Sequence, residues 1–188
     1  CALSQAIWVW YQRYPRSRGL LIYTIGHSTR EIEDFLGLLE ANEVCRLVDV
    51  RTIPRSRHNP QFNRETLPRV LERSGIAYTH LPELGGLRHA RKDSPNTGWR
   101  NASFRGFADY MLTPEFEAGL GTLLKLAAEG SAAIMCAEAV PWRCHRSLIA
   151  DALVARGIEV RHIFGAGRAE PHTLTPFARV EGKRITYP

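Results

Sequence analysis

A three-layer α/β sandwich around a mainly parallel sheet of about five strands is the fold this sequence predicts. A partial or irregular barrel is the alternative architecture. Three observations carry the prediction. Short apolar runs rich in Ile, Val and Leu alternate with segments of helical periodicity, the pattern of βαβ units. The returns from helix to strand are plain, and Gly75, Gly130 and Gly157 supply the stops. The polar and reactive residues collect after strands, on the edge where open α/β sheets bind ligands. A chain of 188 residues fits one domain, placed here over residues 20–188.

Each element has a local reason. Residues 20–25 (LLIYTI) are an apolar run bounded by Gly26 and predict the first strand. Ser28 and Glu31 have capping-box spacing, and Ile32, Phe35, Leu36 and Leu39 then fall on one helical face. Residues 44–50 (VCRLVDV) predict a second strand. Residues 65–74 predict a helix carrying Leu67, Val70 and Leu71, and residues 76–81 a third strand. Residues 82–103 read as loop. Helices follow at 104–111 and 114–129, the second with Pro114 in its first turn. Residues 132–136 (AAIMC) predict the fourth strand. A helix over 147–156 turns Leu148, Ile149, Ala152 and Leu153 inward, and 158–164 is the fifth strand. The tail from residue 170 is polar and punctuated by proline, and it carries no assigned element.

Composition excludes several classes. Hydrophobic residues at 44% and charged residues at 23% are ordinary for a soluble domain. No apolar run reaches the roughly 20 residues a membrane helix requires, so no membrane partner is expected. Residues 1–19 begin with CALSQAIWVW, an apolar stretch short of a span, and are expected to be an appended N-terminal extension. The four cysteines, Cys1, Cys45, Cys136 and Cys144, do not form a secreted framework and imply a reducing, cytoplasmic compartment.

The formal net charge is +6, and arginine supplies 22 of the 25 basic residues. Six arginines between Arg51 and Arg73 face only Glu65 and Glu72. Guanidinium forks fit carboxylate and phosphate. The expected partner is therefore an anionic small molecule or a nucleic acid, with codon bias as the plain alternative.

The candidate site lies on the rim formed by strand ends. Cys144 is its centre: a thiol beside Arg143, His145 and Arg146 at a helix N-terminus favours the thiolate. Cys144 with His145 is the expected nucleophile or redox thiol, against a packing role. Asp49, Glu138 or His27 would move protons. Arg51, Arg55 and Arg146 would hold the anion, with Ser28, Ser56 and Cys136 beside it. Cys136 ends a buried-looking strand and has a core thiol as its plain reading. Asp49 and Arg51, two apart, point the same way and could equally be an ion pair closing the sheet edge. Trp99, Phe104 and Phe107 interleave with arginines, as in single-strand binders or as core.

Two chemistries are disfavoured. A phosphatase-type loop needs Arg six residues after its Cys, but those positions hold Trp142 and Ala150. No cofactor is expected. A metal is the weaker alternative, because it would require Cys136 and Cys144 to meet a distant His27 or His58, and neighbours such as Cys144 and His145 seldom share one ion.

The stretches TIGHSTREIEDFL, LVDVRTIPRSRHNPQFN, LPELGGLR and CAEAVPWRCHRSLIADAL resemble the domain-of-unknown-function family 488 from about residue 22 to about residue 164. The resemblance implies a bacterial or archaeal, cytoplasmic, single-domain α/β protein. It implies no activity. Its motifs fall on the same rim residues. Three functions follow as expectations: a cysteine-dependent transferase or hydrolase on a phosphate- or nucleotide-like substrate, a nucleic-acid-associated protein without turnover, or a metal- or redox-responsive domain.

Overall fold

The computed structural model describes residues 19–188, so the expected N-terminal extension, apart from Gly19, lies outside the described residues. The elements run β1 (Leu21–Gly26), α1 (Ile32–Glu40), β2 (Arg46–Asp49), α2 (Leu67–Arg73), β3 (Ala77–His80), α3 (Ala102–Tyr110) and α4 (Pro114–Ala128). They continue with β4 (Ala132–Cys136), α5 (Arg146–Val154), β5 (Glu159–Gly165), β6 (Arg168–Pro171), β7 (Arg179–Glu181) and β8 (Arg184–Thr186).

Six strands form one sheet in the order β3-β2-β4-β1-β5-β6. The first five are parallel, and β6 pairs antiparallel with β5. This is the predicted α/β architecture, and the sheet does not close into a barrel. All five residues of β4 are buried, as expected for a central parallel strand covered on both faces.

The two faces have separate cores. Phe35 and Leu39 of α1 and Leu67 and Leu71 of α2 pack with Leu47, Ala133 and Met135. Phe107 of α3, Leu120 and Leu123 of α4, and Leu148 and Leu153 of α5 pack with Ile22, Val48, Ile134 and Val160 on the other face. Each such side chain contributes about 1.5–3 kcal/mol when fully buried. The chain thus leaves β1 and β2 toward one face but leaves β4 toward the other. Because β4 lies between β1 and β2, its C-terminal end has a topological switch point on each side, where open α/β sheets form ligand crevices.

Glycine permits the closest approach at that end. A Cβ on Gly26 would sit 1.8 Å from the Glu138 carbonyl oxygen, so the loop after β4 can lie against β1 only because residue 26 has no side chain.

Several expectations are corrected. The capping box is not formed: Glu31 is the N-cap of α1 without a side-chain cap bond, and Ser28 has left-handed backbone at φ 52°. That conformation turns the chain before the helix begins, so Ser28 cannot cap it. Gly165 ends β5, and Ala166 and Gly167, the latter at φ 67°, make the tight β5–β6 connection. The tail is not featureless either. It supplies β6 and the β7–β8 hairpin, and Tyr187 is completely buried. Among the described residues no helix is long and apolar enough to cross a membrane.

Candidate active site

The loops after β1, β2 and β4 meet at the switch points. His27 N donates to the Cys136 carbonyl at 3.0 Å, Arg51 Nη1 lies 3.2 Å from His27 Nε2, and His145 Nε2 lies 3.1 Å from the Val50 carbonyl oxygen. His27, Asp49, Arg51, Cys136, Cys144, His145 and Arg146 therefore meet in one largely buried cluster. Arg55 and Ser56 do not join it. Arg55 is exposed, and the Ser56 hydroxyl accepts from Asn59 N at 3.1 Å within its own loop.

At the centre stand two thiols and an imidazole. Cys144 Sγ is 3.7 Å and Cys136 Sγ 4.0 Å from His145 Nδ1, and the three atoms lie within 4.8 Å of one another. His145 Nε2 faces a carbonyl, which can only accept, so Nε2 carries the proton and the Nδ1 lone pair faces the sulfurs. Gly86 makes room for this ring, since a Cβ there would come within 2.4 Å of His145 Nδ1. Phe107 meets the imidazole edge-on, with centroids 5.0 Å apart. The third partner of the thiols is therefore His145, not the distant His27 or His58.

The two cysteines differ electrostatically. The Cys136 S–H donates toward Cys144 and holds that thiol down at about 7; the Arg146 charge and backbone N–H add to this, while burial and Glu138 oppose it. Cys136 is pushed well above the ordinary thiol range, first by this bond to Cys144 and then by burial. Cys144 is thus the more readily ionised of the two thiols, and Cys136 the one that keeps its proton. Both are buried, whereas residues 137–139, 142 and 143 of the intervening loop are exposed.

Arginines build the walls. Arg146, 1% exposed, donates Nη1 to the Glu138 carbonyl and Nη2 to the Ala139 carbonyl at 2.8 Å. Its buried Nε has no partner among the described residues. Arg51 is locked to Asp49 through Nε at 2.9 Å and Nη2 at 2.6 Å, and Nη2 also reaches the Phe62 carbonyl at 2.7 Å. Asp49 further accepts Arg51 N at 3.1 Å and Tyr78 Oη at 2.8 Å. Four donors fill the lone pairs of a carboxylate, so Asp49 orients Arg51 and has none left for a substrate proton.

His27 is similarly committed. Its Nδ1–H donates to the Ser28 carbonyl at 2.8 Å, its Nε2 accepts from Arg51, and it stacks on Phe62 at 4.3 Å. Burial is the main reason its pKa falls to about 4; Arg51 and Arg146 act in the same direction, against the Ser28 carbonyl and Asp49. Neutral at pH 7 and 2% exposed, it positions Arg51. Glu138 is exposed, and its charge raises the Cys144 thiol slightly.

Sequence reading missed Arg30, which donates to the Gly26 carbonyl at 2.6 Å and the Phe164 carbonyl at 3.1 Å, tying β1 to β5. It also missed Tyr78 and Phe62, for which no local signal exists. The largest omission is a second polar cluster on α5. Thr24 Oγ1, His162, His172 and Asp151 form a chain with contacts of 2.7, 2.9 and 2.8 Å. Asp151 also accepts Thr175 N at 3.0 Å and Tyr187 Oη at 2.8 Å.

Two cavities open beside this framework. One of about 550 Å³ is lined by Arg91, Thr113, Glu117, Lys183 and Arg184. The other, about 390 Å³, borders the loop carrying Trp142 and the β5–β6 region. Neither is lined by Cys136, Cys144 or His145.

Comparison with known proteins gives one match. The family model described as "Domain of unknown function DUF488" matches residues 31–153. No curated protein and no solved structure matches the chain. The matched span begins before α1 and ends within α5, so it contains both cysteines, His145 and the Asp49–Arg51 pair. The chain belongs to the DUF488 family.

Proposed function

We propose that the protein is a cysteine-dependent enzyme acting on an anionic substrate, with Cys144 as nucleophile. One observation carries the reading: Cys144 Sγ lies 3.7 Å from an imidazole nitrogen whose tautomer is fixed by a third group, the Val50 carbonyl. Nucleophile, base and orienter are the elements of covalent catalysis. His145 Nδ1 accepts the thiol proton. Cys136 S–H and the Arg146 backbone N–H hold the resulting thiolate. The unpartnered Arg146 Nε and the remaining Arg51 Nη1 hydrogen supply positive charge for an anion. Entry requires displacement of the exposed loop over residues 137–143.

Alkylation tests this with iodoacetamide and with the anionic iodoacetate, using exposed Cys45 as the internal reference. Cys144 is expected to be modified faster than Cys45 at pH 7, and to favour iodoacetate more than Cys45 does. Ultraviolet absorbance of the thiolate, with Cys144→Ser as blank, should titrate near pH 7 whether or not a reagent can enter. A thiolate appearing only in the ordinary thiol range overturns the proposal.

A second reading rests on the same convergence. Cys136, Cys144 and His145 could ligate a thiophilic cation, and the His145 Nε2–H on a backbone carbonyl is the usual support for a metal-bound imidazole. Stoichiometric zinc in the purified protein, lost together in Cys136→Ala and His145→Ala, would favour it over the nucleophile.

A further inference from the structure

Cys136 stands closer to Cys144 than the chemistry above requires. A nucleophile, its base and an orienter suffice for covalent catalysis, and none of these roles needs a second thiol. Yet Cys136 Sγ, Cys144 Sγ and His145 Nδ1 lie within 4.8 Å of one another. The two cysteines come from different elements: Cys136 ends β4, and Cys144 follows the turn at Pro141–Arg143 and precedes α5. The loop between them is tied down. His27 N and Ser28 N donate to the carbonyls of Cys136 and Ala137, and Arg146 donates to those of Glu138 and Ala139. The fold therefore sets the two sulfurs side by side. Cys45 takes no part, because it is exposed at the opposite edge of the sheet, next to the Arg46–Ala132 register pair.

Burial narrows what reaches the sulfurs. Cys136 is 9% and Cys144 3% exposed, so neither residue is sealed, but a bulky reactant enters only if the loop over residues 137–143 moves aside. A molecule of two oxygen atoms needs much less room. Proximity also decides what attacks a bond newly formed at Cys144 Sγ: the neighbouring thiol is already in place, whereas a hydrolytic water has to enter.

We propose that Cys136 and Cys144 form a dithiol site that reduces hydrogen peroxide and closes to a reversible disulfide. The Cys144 sulfur attacks one peroxide oxygen and the O–O bond breaks. The thiol proton passes through His145 to the departing hydroxide, which leaves as water. Sulfur loses two electrons and the peroxide gains them, giving a sulfenic acid on Cys144. The Cys136 sulfur then attacks that sulfur. The S–S bond forms, the S–O bond breaks, and the Cys136 proton leaves with the hydroxyl as a second water. Closure brings the sulfurs from within 4.8 Å of each other to about 2 Å, a movement that side-chain rotation supplies. Two equivalents of a small-molecule thiol reopen the disulfide by exchange. This chemistry rests on Cys144 being the reactive thiol of the site, and it makes Cys136 a reacting partner as well as a hydrogen-bond donor.

Peptide mapping tests it. The full chain, reduced and kept in EDTA, is treated with an equimolar amount of hydrogen peroxide and analysed by mass spectrometry without reductant. A peptide joined through Cys136 and Cys144 is expected, with Cys45 still a thiol, and dithiothreitol should restore both partners. Cys136→Ala should abolish the joined peptide and leave a sulfenic acid on Cys144 that dimedone traps. Cys144→Ser should leave Cys136 a thiol at the same dose. Cumene hydroperoxide, which carries a bulky organic group, should oxidise the pair about tenfold more slowly, because oxidation follows access to the sulfur. A wild-type chain in which Cys45 oxidises while Cys136 and Cys144 stay reduced overturns the proposal, whatever the variants do. Fast alkylation of Cys144 by iodoacetate with no joined peptide removes the dithiol chemistry and keeps the nucleophile. A joined peptide with no preference of Cys144 for iodoacetate keeps the dithiol chemistry and removes the anionic substrate.

Discussion

Two buried polar clusters hang from α5, and they differ in what they leave unpaired. At the helix N-terminus, Cys144, His145 and Arg146 keep spare chemistry: a thiol, an imidazole lone pair facing it that can take its proton, and a guanidinium N–H with no acceptor among the described residues. Two turns along, Asp151 anchors a cluster that is closed. Every donor in the Thr24–His162–His172–Asp151–Tyr187 chain has an acceptor, and all can point the same way, toward one carboxylate. A filled network rigidifies; a partly filled one is where ligands or chemistry enter. The same helix thus fixes the tail with one cluster and presents reactive groups with the other.

Removing the anchor of the closed cluster should give the largest effect. Asp151 is fully buried and receives His172 Nε2, Thr175 N and Tyr187 Oη. Asp151→Ala strands all three, each at a cost of about 1–3 kcal/mol. A loss near 4 kcal/mol in urea unfolding is expected. The Cys144 thiolate of the folded variant should still titrate near 7. A stability loss below about 1 kcal/mol would break the comparison, because the cluster would then not be what ties down the tail.

Acid should separate the regions next. His27 and His162 have pKa values lowered by burial from 6.5 to about 4 and about 3. The unfolded chain therefore binds protons that the folded chain refuses. Stability is full above pH 6.5 and falls as pH drops from there toward 4, where folded His27 accepts its proton. For His27 the drop corresponds to roughly 3 kcal/mol, and His162 adds in the same direction. Unfolding midpoints measured between pH 7 and pH 4 should fall accordingly, and His27→Gln should remove part of the slope. A flat profile would mean that these rings are not sealed from water.

The sequence carried much of this fold because the periodicities are clean. The run AAIMC is too short for a helix and reads as a buried strand between turn signals, and glycines at 75 and 157 stop helices in left-handed backbone, φ 71° and φ 75°. The rim was legible because a parallel sheet sends all strand ends to one edge. What sequence could not give was valence. Asp49 and His27 look catalytic by residue type, yet four donors fill the first and Ser28 and Arg51 occupy the second. Nor could spacing show that adjacent Cys144 and His145 face each other: the turn at Pro141–Arg143 and the Val50 carbonyl set that geometry from outside the motif. The Asp151 cluster was invisible because partners bonded within it lie up to 138 residues apart, and half of its members sit in a tail whose composition suggests loop.

The smallest effect sharpens the comparison most, because it addresses the difference between two chemically identical groups. Cys136 and Cys144 share one pocket, but only Cys144 sits at a helix N-terminus with the Arg146 charge and N–H beside it. The proton therefore stays on Cys136, which donates it to its neighbour. Hydrogen bonds to a charged acceptor are worth about 1.5–3 kcal/mol. Cys136→Ala removes that donor and leaves Arg146 and His145 in place. The Cys144 thiolate should then move from about 7 toward the ordinary value of 9.0 without reaching it, and its alkylation rate at pH 7 should fall about tenfold. Urea stability should change little, since the side chain lost is small and lies at a strand end. An unchanged midpoint in Cys136→Ala would assign the lowered pKa to the helix terminus and Arg146 alone. Cys136 would then be a core thiol, and the open cluster would shrink to the Cys144–His145 pair.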